Sequence, residues 1–373
     1  MASPGPAQRE EQQTSKWSVP LGRIAGIELR VHLTFLALVA LFAMDPDGPI
    51  AGIGWLVIIF ACVVAHELAH SLVARRRGAT VREIVLLPIG GVSRLENLPE
   101  NPRDEFAIAI VGPLTSFALG VLAAVVCVAL GRDLWPVDLA TGSILHRLAW
   151  FNLIVGAFNL LPAYPLDGGR VLRSLLERRY DLETATRIAA RVGRVLAAVM
   201  VGVGFLVNLF LLIIGIFVWF GASAEEAATV VHLRLEGHVV GDAMLTDPVT
   251  FEAATLVGDV IPVLRRYAQR SFPVTYGHDY VGLLHAFGLE SVPGELTVGQ
   301  VLDRDAPTLA ADADLEQATF EVLVPSRRHA LAVLDGPRVV GLLSRDDVNH
   351  LVTDEHRDEH FPRAPFSGHA DQA

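Results

Sequence analysis

The chain has 373 residues, enough for two or three domains of ordinary size. Hydrophobic residues make up 52% and charged residues 19%, with a mean hydropathy of +0.43. These values exclude a disordered or collagen-like chain and argue against a purely soluble globular one. The formal charge of −11 is unevenly spread: 24 acidic against 11 basic residues from Glu225 onward, 17 against 19 before it, with no basic stripe that would suit nucleic acid.

Residues 1–20 read as a polar tail that lacks an apolar signal core and is expected to be retained. A membrane-spanning helix needs about 20 apolar residues. Val31–Met44 is a short first candidate, Ile50–Ala74 a second, Phe106–Leu130 the clearest and Leu148–Leu166 a fourth. The 30 uncharged residues of Val195–Ala224 suit either one tilted helix or a hairpin turning near Asn208, its first helix starting near Ile188. Between the second and third spans, Thr80–Leu95 is rich in Val, Ile and Leu around Gly90-Gly91, which predicts one or two strands and a glycine turn at the membrane surface. Arginines cluster before Val31, between the second and third spans, and between Arg170 and Arg194, whereas the intervening loops are nearly free of them. The positive-inside rule therefore predicts a cytoplasmic N-terminus. Cys62 and Cys127 cannot form a disulfide framework and, lying in apolar stretches, read as small buried hydrophobes.

Within the second span, His66-Glu67-Leu68-Ala69-His70 fits H-E-x-x-H. On a helix, residues four apart share a face, so both imidazoles can reach one ion, with Glu67 beside them as general base. Zinc suits imidazole nitrogen, and a catalytic zinc typically keeps three protein ligands and a water. In a soluble helix such a pattern is often a solvated face. Inside a membrane each ionisable group costs about 2.5–3.5 kcal/mol on insertion scales, so three together need a shared reason. A third ligand is sought among the polar residues of the fourth span and its end, Asn159-Leu-Leu-Pro162-Ala-Tyr164-Pro165-Leu-Asp167-Gly-Gly-Arg170. Its prolines and glycines break the helix, and irregular backbone at membrane depth must be buried or line a cavity. Asp167 ends that break, free either to point back at the ion or to cap a helix at the surface. Asn159 could donate to a developing oxyanion or to substrate backbone, or could simply bond to a neighbouring helix.

These residues resemble the site-2 protease family of intramembrane zinc metalloproteases, with Pro88-Ile-Gly-Gly91 and Gly112-Pro113 as lesser shared features; the likeness covers about residues 21–224. The resemblance implies a six-helix core, zinc held by His66, His70 and Asp167, and Glu67 as catalytic base. It implies cleavage of transmembrane segments of membrane-tethered proteins, such as anti-sigma factors or other regulators. It further implies that the strand with Gly90 and Gly91 meets the substrate in extended form, which suits a peptide whose carbonyls a helix would hide. Six spans also favour the hairpin reading of Val195–Ala224.

After a linker at 225–238, a repeat appears. Val240-Gly241-Asp242-Ala243-Met244 corresponds to Val298-Gly299-Gln300-Val301-Leu302, and Gly282-Leu-Leu matches Gly341-Leu-Leu at the ends of the units. The two copies, 239–297 and 298–352, resemble a tandem pair of cystathionine-β-synthase (CBS) domains, a module that commonly binds adenine nucleotides. In the second copy Ser344 and Asp347 keep the family pattern and would meet phosphate and ribose. In the first copy His285 and Gly288 stand in their place, so at most one cleft looks intact. The resemblance equally allows a packing module or a homodimer formed through the CBS pair. Since adenine nucleotides abound in the cytoplasm, the module also favours the hairpin, which returns the chain to that side. His356-Arg-Asp-Glu359-His360 matches an inverted metal pattern but lies in a charged tail, 353–373, without an apolar frame, and reads as solvated. His32 reads as interfacial.

The expected architecture is thus a multi-pass cell-membrane protein with about six transmembrane helices and a small surface sheet, followed by a cytoplasmic α/β CBS pair. The expected function is a zinc endopeptidase with a nucleotide-responsive module. The alternative is a non-catalytic sensor or transporter with the same module.

Overall fold

A computed structural model describes residues 17–45, 48–88, 90–96, 101–139, 142–264, 266–267 and 269–353. The patterned residues His356, Glu359 and His360 lie outside them. The chain divides into two compact units, whose described parts are 17–229 and 230–353.

The first unit opens with an element the hydropathy reading did not anticipate. Strands β1 (Ser18–Ile24) and β2 (Ile27–His32) form an antiparallel hairpin across Ala25 and Gly26, both at positive φ. The alternation of Ile27, Leu29 and Val31 was its sequence signal. The candidate first span is corrected accordingly: Val31 and His32 end β2, and helix α1 covers only Phe35–Phe42. Its 8 residues rise about 12 Å, against about 30 Å of hydrocarbon. Helix α2 (Pro49–Arg76) follows, then β3 (Thr80–Leu87) and β4 (Gly90–Glu96), so the expected surface strands form, with Gly90 and Gly91 opening the second of them. The sheet order is β1-β2-β3-β4, parallel only between β2 and β3. Its apolar face packs on α2 through Ile27, Ile84, Leu86, Leu56 and Phe60.

Helices α3 (Pro102–Ala129), α4 (Ile144–Asn159), α5 (Asp167–Leu176), α6 (Leu182–Val207) and α7 (Leu209–Leu235) follow, the last residues of α7 belonging to the second unit. Asn101 caps α3, its side chain accepting from the Arg103 amide ahead of Pro102 at the first helical position. Four helices among the described residues are long and apolar enough to cross a membrane: α2, α3, α6 and α7. The 16-residue α4 is apolar but shorter, and α1 is too short to cross by itself, so the described helices approach the expected set of about six without α1 as a full span. The long apolar stretch is indeed a hairpin. Helix α6 ends at extended Asn208, whose side chain accepts from the Phe210 amide; Ala197 packs with Val218, and Arg194 pairs with Glu226 across the two helices.

The second unit consists of two interlaced repeats. In chain order it contains α8 (Val240–Ala243), β5 (Leu245–Thr246), β6 (Phe251–Glu252), α9 (Val257–Leu264), β7 (Ser271–Tyr276) and β8 (Asp279–His285). The second repeat supplies α10 (Val298–Val301), β9 (Leu309–Ala310), α11 (Leu315–Gln317), β10 (Ala330–Asp335), β11 (Arg338–Ser344) and α12 (Arg345–Thr353). Two sheets result, β6-β7-β8 and β5-β11-β10-β9. The first segment of each repeat is given to the other. Strand β5 pairs with β11, while Asp303 bridges to Leu283 of β8. Val240 sits in the second repeat's core with Leu315, Leu331 and Leu343; Val298 sits in the first repeat's core with Val257, Phe272 and Leu284. The backbone bonds match as well, Val240 N to Ala313 O in one direction and Val298 N to Thr255 O in the other. Neither repeat therefore completes its core alone.

Because Leu331 is fully buried in that shared core, Leu331→Ala is expected to destabilise the second unit by about 2–5 kcal/mol. Denaturant titration followed by hydrogen exchange on 230–353 would measure this, and a change below about 1 kcal/mol would contradict the packing described.

Candidate metal centre

The site is assembled from α2, α3, β4 and the start of α5. His66 and His70, four residues apart on α2, turn their rings to the same side, with Nε2 atoms 3.1 Å from each other. Asp167, the first residue of α5, brings Oδ2 to 3.1 Å from His66 Nε2 and 3.3 Å from His70 Nε2. The segment between Asn159 and Asp167 is non-helical, and this break turns the carboxylate towards α2. Both histidines are buried, and His66, His70 and Asp167 form a group able to hold a metal ion.

The outer partners decide how well an ion fits. His66 Nδ1 lies 2.9 Å from Ser116 Oγ, and His70 Nδ1 lies 2.6 Å from the Ile108 carbonyl, both on α3. A carbonyl can only accept, so His70 carries its proton on Nδ1 and presents a bare Nε2. Two ligands about 2.0–2.1 Å from a tetrahedral zinc stand roughly 3.3 Å apart, close to the separations observed. Gly112 of α3 lies directly beneath the rings. A Cβ there would overlap His70 Nε2 and stand 2.7 Å from His66 Nε2, so only glycine leaves room for the ligand atoms. The residues present fit zinc.

Glu67, about 100° round α2 from His66 and about 60° from His70, lies beside the ligand face and borders β4. Its Oε2 accepts from Ser93 Oγ at 3.0 Å, and Ser93 Oγ in turn accepts from Ser71 Oγ at 3.3 Å. Gly91 sits against the same carboxylate, since a Cβ there would stand 2.5 Å from Glu67 Cγ. The position therefore needs glycine for close approach, whereas Gly90, at φ +141, needs it for backbone conformation. Asn159 is the last residue of α4; its Nδ2 donates to the Val155 carbonyl of the same helix at 3.0 Å, with no hydrogen bond to the three-ligand group among the described residues. Cys62 lies on α2 beside Asn152 Nδ2, 3.4 Å away, and not in the ligand group.

Sequence reasoning did not identify Ser93, Ser116 or the Ile108 carbonyl. Ser116 follows Gly112 by four residues, one helical turn, and that spacing was the available signal. The carbonyl carries no signal in sequence at all.

In the second unit Ser344 and Asp347 meet each other. Asp347 Oδ2 accepts from the Ser344 hydroxyl at 2.6 Å and its amide at 2.9 Å, a reciprocal cap at the start of α12. At the equivalent place in the first repeat, His285 Nε2 lies 3.5 Å from Asp303 Oδ2, and Arg328 donates to the same oxygen at 2.7 Å. The Arg328 guanidinium holds the Asp303 carboxyl below the usual carboxylate range.

Residues 54–133 and 136–201 match the family model Peptidase family M50, and residues 240–289 and 298–354 match the CBS domain. Over 335 residues the chain is 30% identical to a zinc metalloprotease of Methanocaldococcus jannaschii, an alignment covering 89% of this chain and 95% of that relative. The chain belongs to peptidase family M50. It is also 33% identical to the protein named zinc metalloprotease Rip3 of Mycobacterium tuberculosis, with 90% of this chain and 93% of the relative covered. Among solved structures, the site-2 protease from M. jannaschii aligns at 36% identity and a TM-score of 0.44, covering 56% of this chain and 95% of that one. The protein is accordingly a membrane-embedded zinc metalloendopeptidase of the site-2 protease type that carries a CBS pair.

Gly112→Ala is expected to lower zinc affinity at least about tenfold while leaving the protein folded, because the methyl group enters the space between the ligand nitrogens. Elemental analysis after dialysis against a chelator, compared with wild type, would test this.

Proposed function

We propose that His66, His70 and Asp167 hold the zinc of this peptidase and that Glu67 is its general base. The observation that carries the reading is the convergence of two Nε2 atoms and one carboxylate oxygen within 3.1–3.3 Å, with both Nδ1 atoms engaged elsewhere. When bound, zinc supplies Lewis acidity towards a scissile carbonyl and makes a water acidic enough to lose its proton near neutral pH. Glu67 takes that proton on its carboxylate and delivers it to the leaving amine nitrogen. Ser93 holds Oε2, so Oε1 is the oxygen free for the transfer. The apolar helices around the group keep bulk water away from this exchange.

The substrate is a transmembrane segment of a membrane-tethered protein, such as an anti-sigma factor or another bound regulator. It frays and lies extended along β4 beside Gly90 and Gly91, where Gly91 brings that strand against Glu67. Asn159, at the end of α4 where the helix breaks, donates to substrate backbone or to the developing oxyanion by leaving its bond to Val155. The N-terminus and the CBS pair are cytoplasmic in this reading, which the arginine-rich segments support through the positive-inside rule. There the pair binds an adenine nucleotide at Ser344 and Asp347, whose reciprocal hydrogen bonds keep both side chains at the mouth of α12, and binding alters access to the active site. The first repeat's equivalent site is filled by the His285–Asp303–Arg328 group, which supports a single class of nucleotide site.

Glu67→Gln is expected to retain zinc yet lose about 10²–10⁴-fold in cleavage rate. In cells expressing it, membrane-tethered fragments should accumulate in a proteomic comparison. Unchanged processing by this variant would overturn Glu67 as the general base. For the module, titrating the full chain with ATP, ADP and AMP should show saturable binding that Asp347→Ala removes. Absence of binding at millimolar nucleotide would leave the pair as a packing or dimerising element.

A further inference from the structure

Helix α5, which carries Asp167, is only 10 residues long and follows a stretch of irregular backbone containing Pro162 and Pro165. Its start packs against that stretch through the buried backbone of Gly168 and Gly169, and the rest of the helix is held through its own side chains. The strongest grip is Arg173. Its Nε donates to Glu105 Oε1 at 3.0 Å and lies 3.3 Å from Oε2, and a terminal nitrogen also donates to Oε1. Glu177 and Glu225 stand 3.6 and 3.5 Å away, and the guanidinium carbon lies 5.7 Å from the centroid of the buried Tyr164 ring. The side chains of Arg173 and Glu105 are only 15% and 18% exposed, so solvent screens this pair far less than a surface one.

The location of Glu105 is what matters. It lies on α3, one turn before Ile108, whose carbonyl seats His70, and on the same helix as Gly112 and Ser116, which seat the two rings. Both imidazoles are therefore positioned from α3, and Arg173 ties the aspartate-bearing helix to that same α3. We propose that the Arg173–Glu105 pair is a positioning clamp that sets the separation between Asp167 and the two imidazoles. The inference rests on the reading that these three residues hold the zinc. Arg173 acts through Asp167, six residues away and about 9 Å along the helix, and touches neither metal nor substrate. Two nitrogens of one planar guanidinium converge on Oε1 while Nε also reaches Oε2, an arrangement that the single ammonium of lysine does not reproduce.

The test uses the full chain purified in detergent, with zinc and with cobalt(II) in its place. Bound metal is measured against a competing chelator, and the cobalt absorption spectrum reports ligand geometry. Arg173→Gln is expected to weaken metal retention 10–100-fold and shift the cobalt bands, with Arg173→Lys in between. Arg187→Gln, which breaks the exposed Arg187–Glu183 pair, should stay within about twofold of wild type. If Arg173→Gln does not fold, the double variant with Glu105→Arg and Arg173→Glu decides: recovered metal retention supports the clamp, and folded protein without it overturns the clamp. An Arg173→Gln protein that folds and matches wild type in affinity and spectrum also overturns it. Wild type holding no metal would instead sink the zinc-site reading itself, so the two failures are distinguishable.

Discussion

Two imidazoles and a carboxylate stand against one another in the interior of an apolar helix bundle, and most of the first unit is arranged to permit it. Each such group would be costly alone in hydrocarbon. Around a dication, as proposed, they would satisfy one another, but only if their ligand atoms reach the right separation and keep their lone pairs free. Helix α3 meets both conditions at once: Ile108 and Ser116 occupy the Nδ1 positions, and the missing side chain of Gly112 leaves space where the Nε2 atoms converge. The carboxylate comes from a separate helix whose start is set by a proline-broken segment. A fixed three-point geometry thus arises from elements with no covalent reason to be in register.

The proposed general base follows a different logic on the same helix. Glu67 is adjacent in sequence to His66 but faces β4, where Ser93 holds one of its oxygens and Gly91 lets the strand approach its carboxylate. Glu67 therefore stands between the ligand face of α2 and strand β4, so the sheet borders the candidate site as well as the surface. In the second unit the governing constraint is reciprocity. Each repeat lends its first segment to the other's core, so the two can be displaced only together. A module built this way would couple its halves tightly, which is the property a ligand-responsive pair requires.

Composition and short-range spacing carried much of this. The H-E-x-x-H spacing placed both imidazoles on one helical face because a 3.6-residue turn leaves no other arrangement, and the Pro- and Gly-rich break marked Asp167 because regular helix cannot continue through it. The 58-residue repeat likewise follows from self-similarity, whereas hydropathy alone left Val195–Ala224 open between one tilted helix and the hairpin that α6 and α7 form. The β1–β2 hairpin was not recognised, since its alternation covers only a few residues and adjoins an apolar run that resembles a membrane span.

What only the tertiary structure decided concerns partners distant in sequence. The carbonyl of Ile108, the hydroxyls of Ser93 and Ser116, and the grip of Arg173 on Glu105 acquire meaning only once α2, α3, β4 and α5 pack. The exchange of first segments between the CBS repeats is of the same kind, because the repeat pattern is identical whether each unit closes on itself or on its neighbour. Periodicity along a chain reports which face of an element a residue occupies; it carries no information on which other face will be laid against it, and that choice is made by packing.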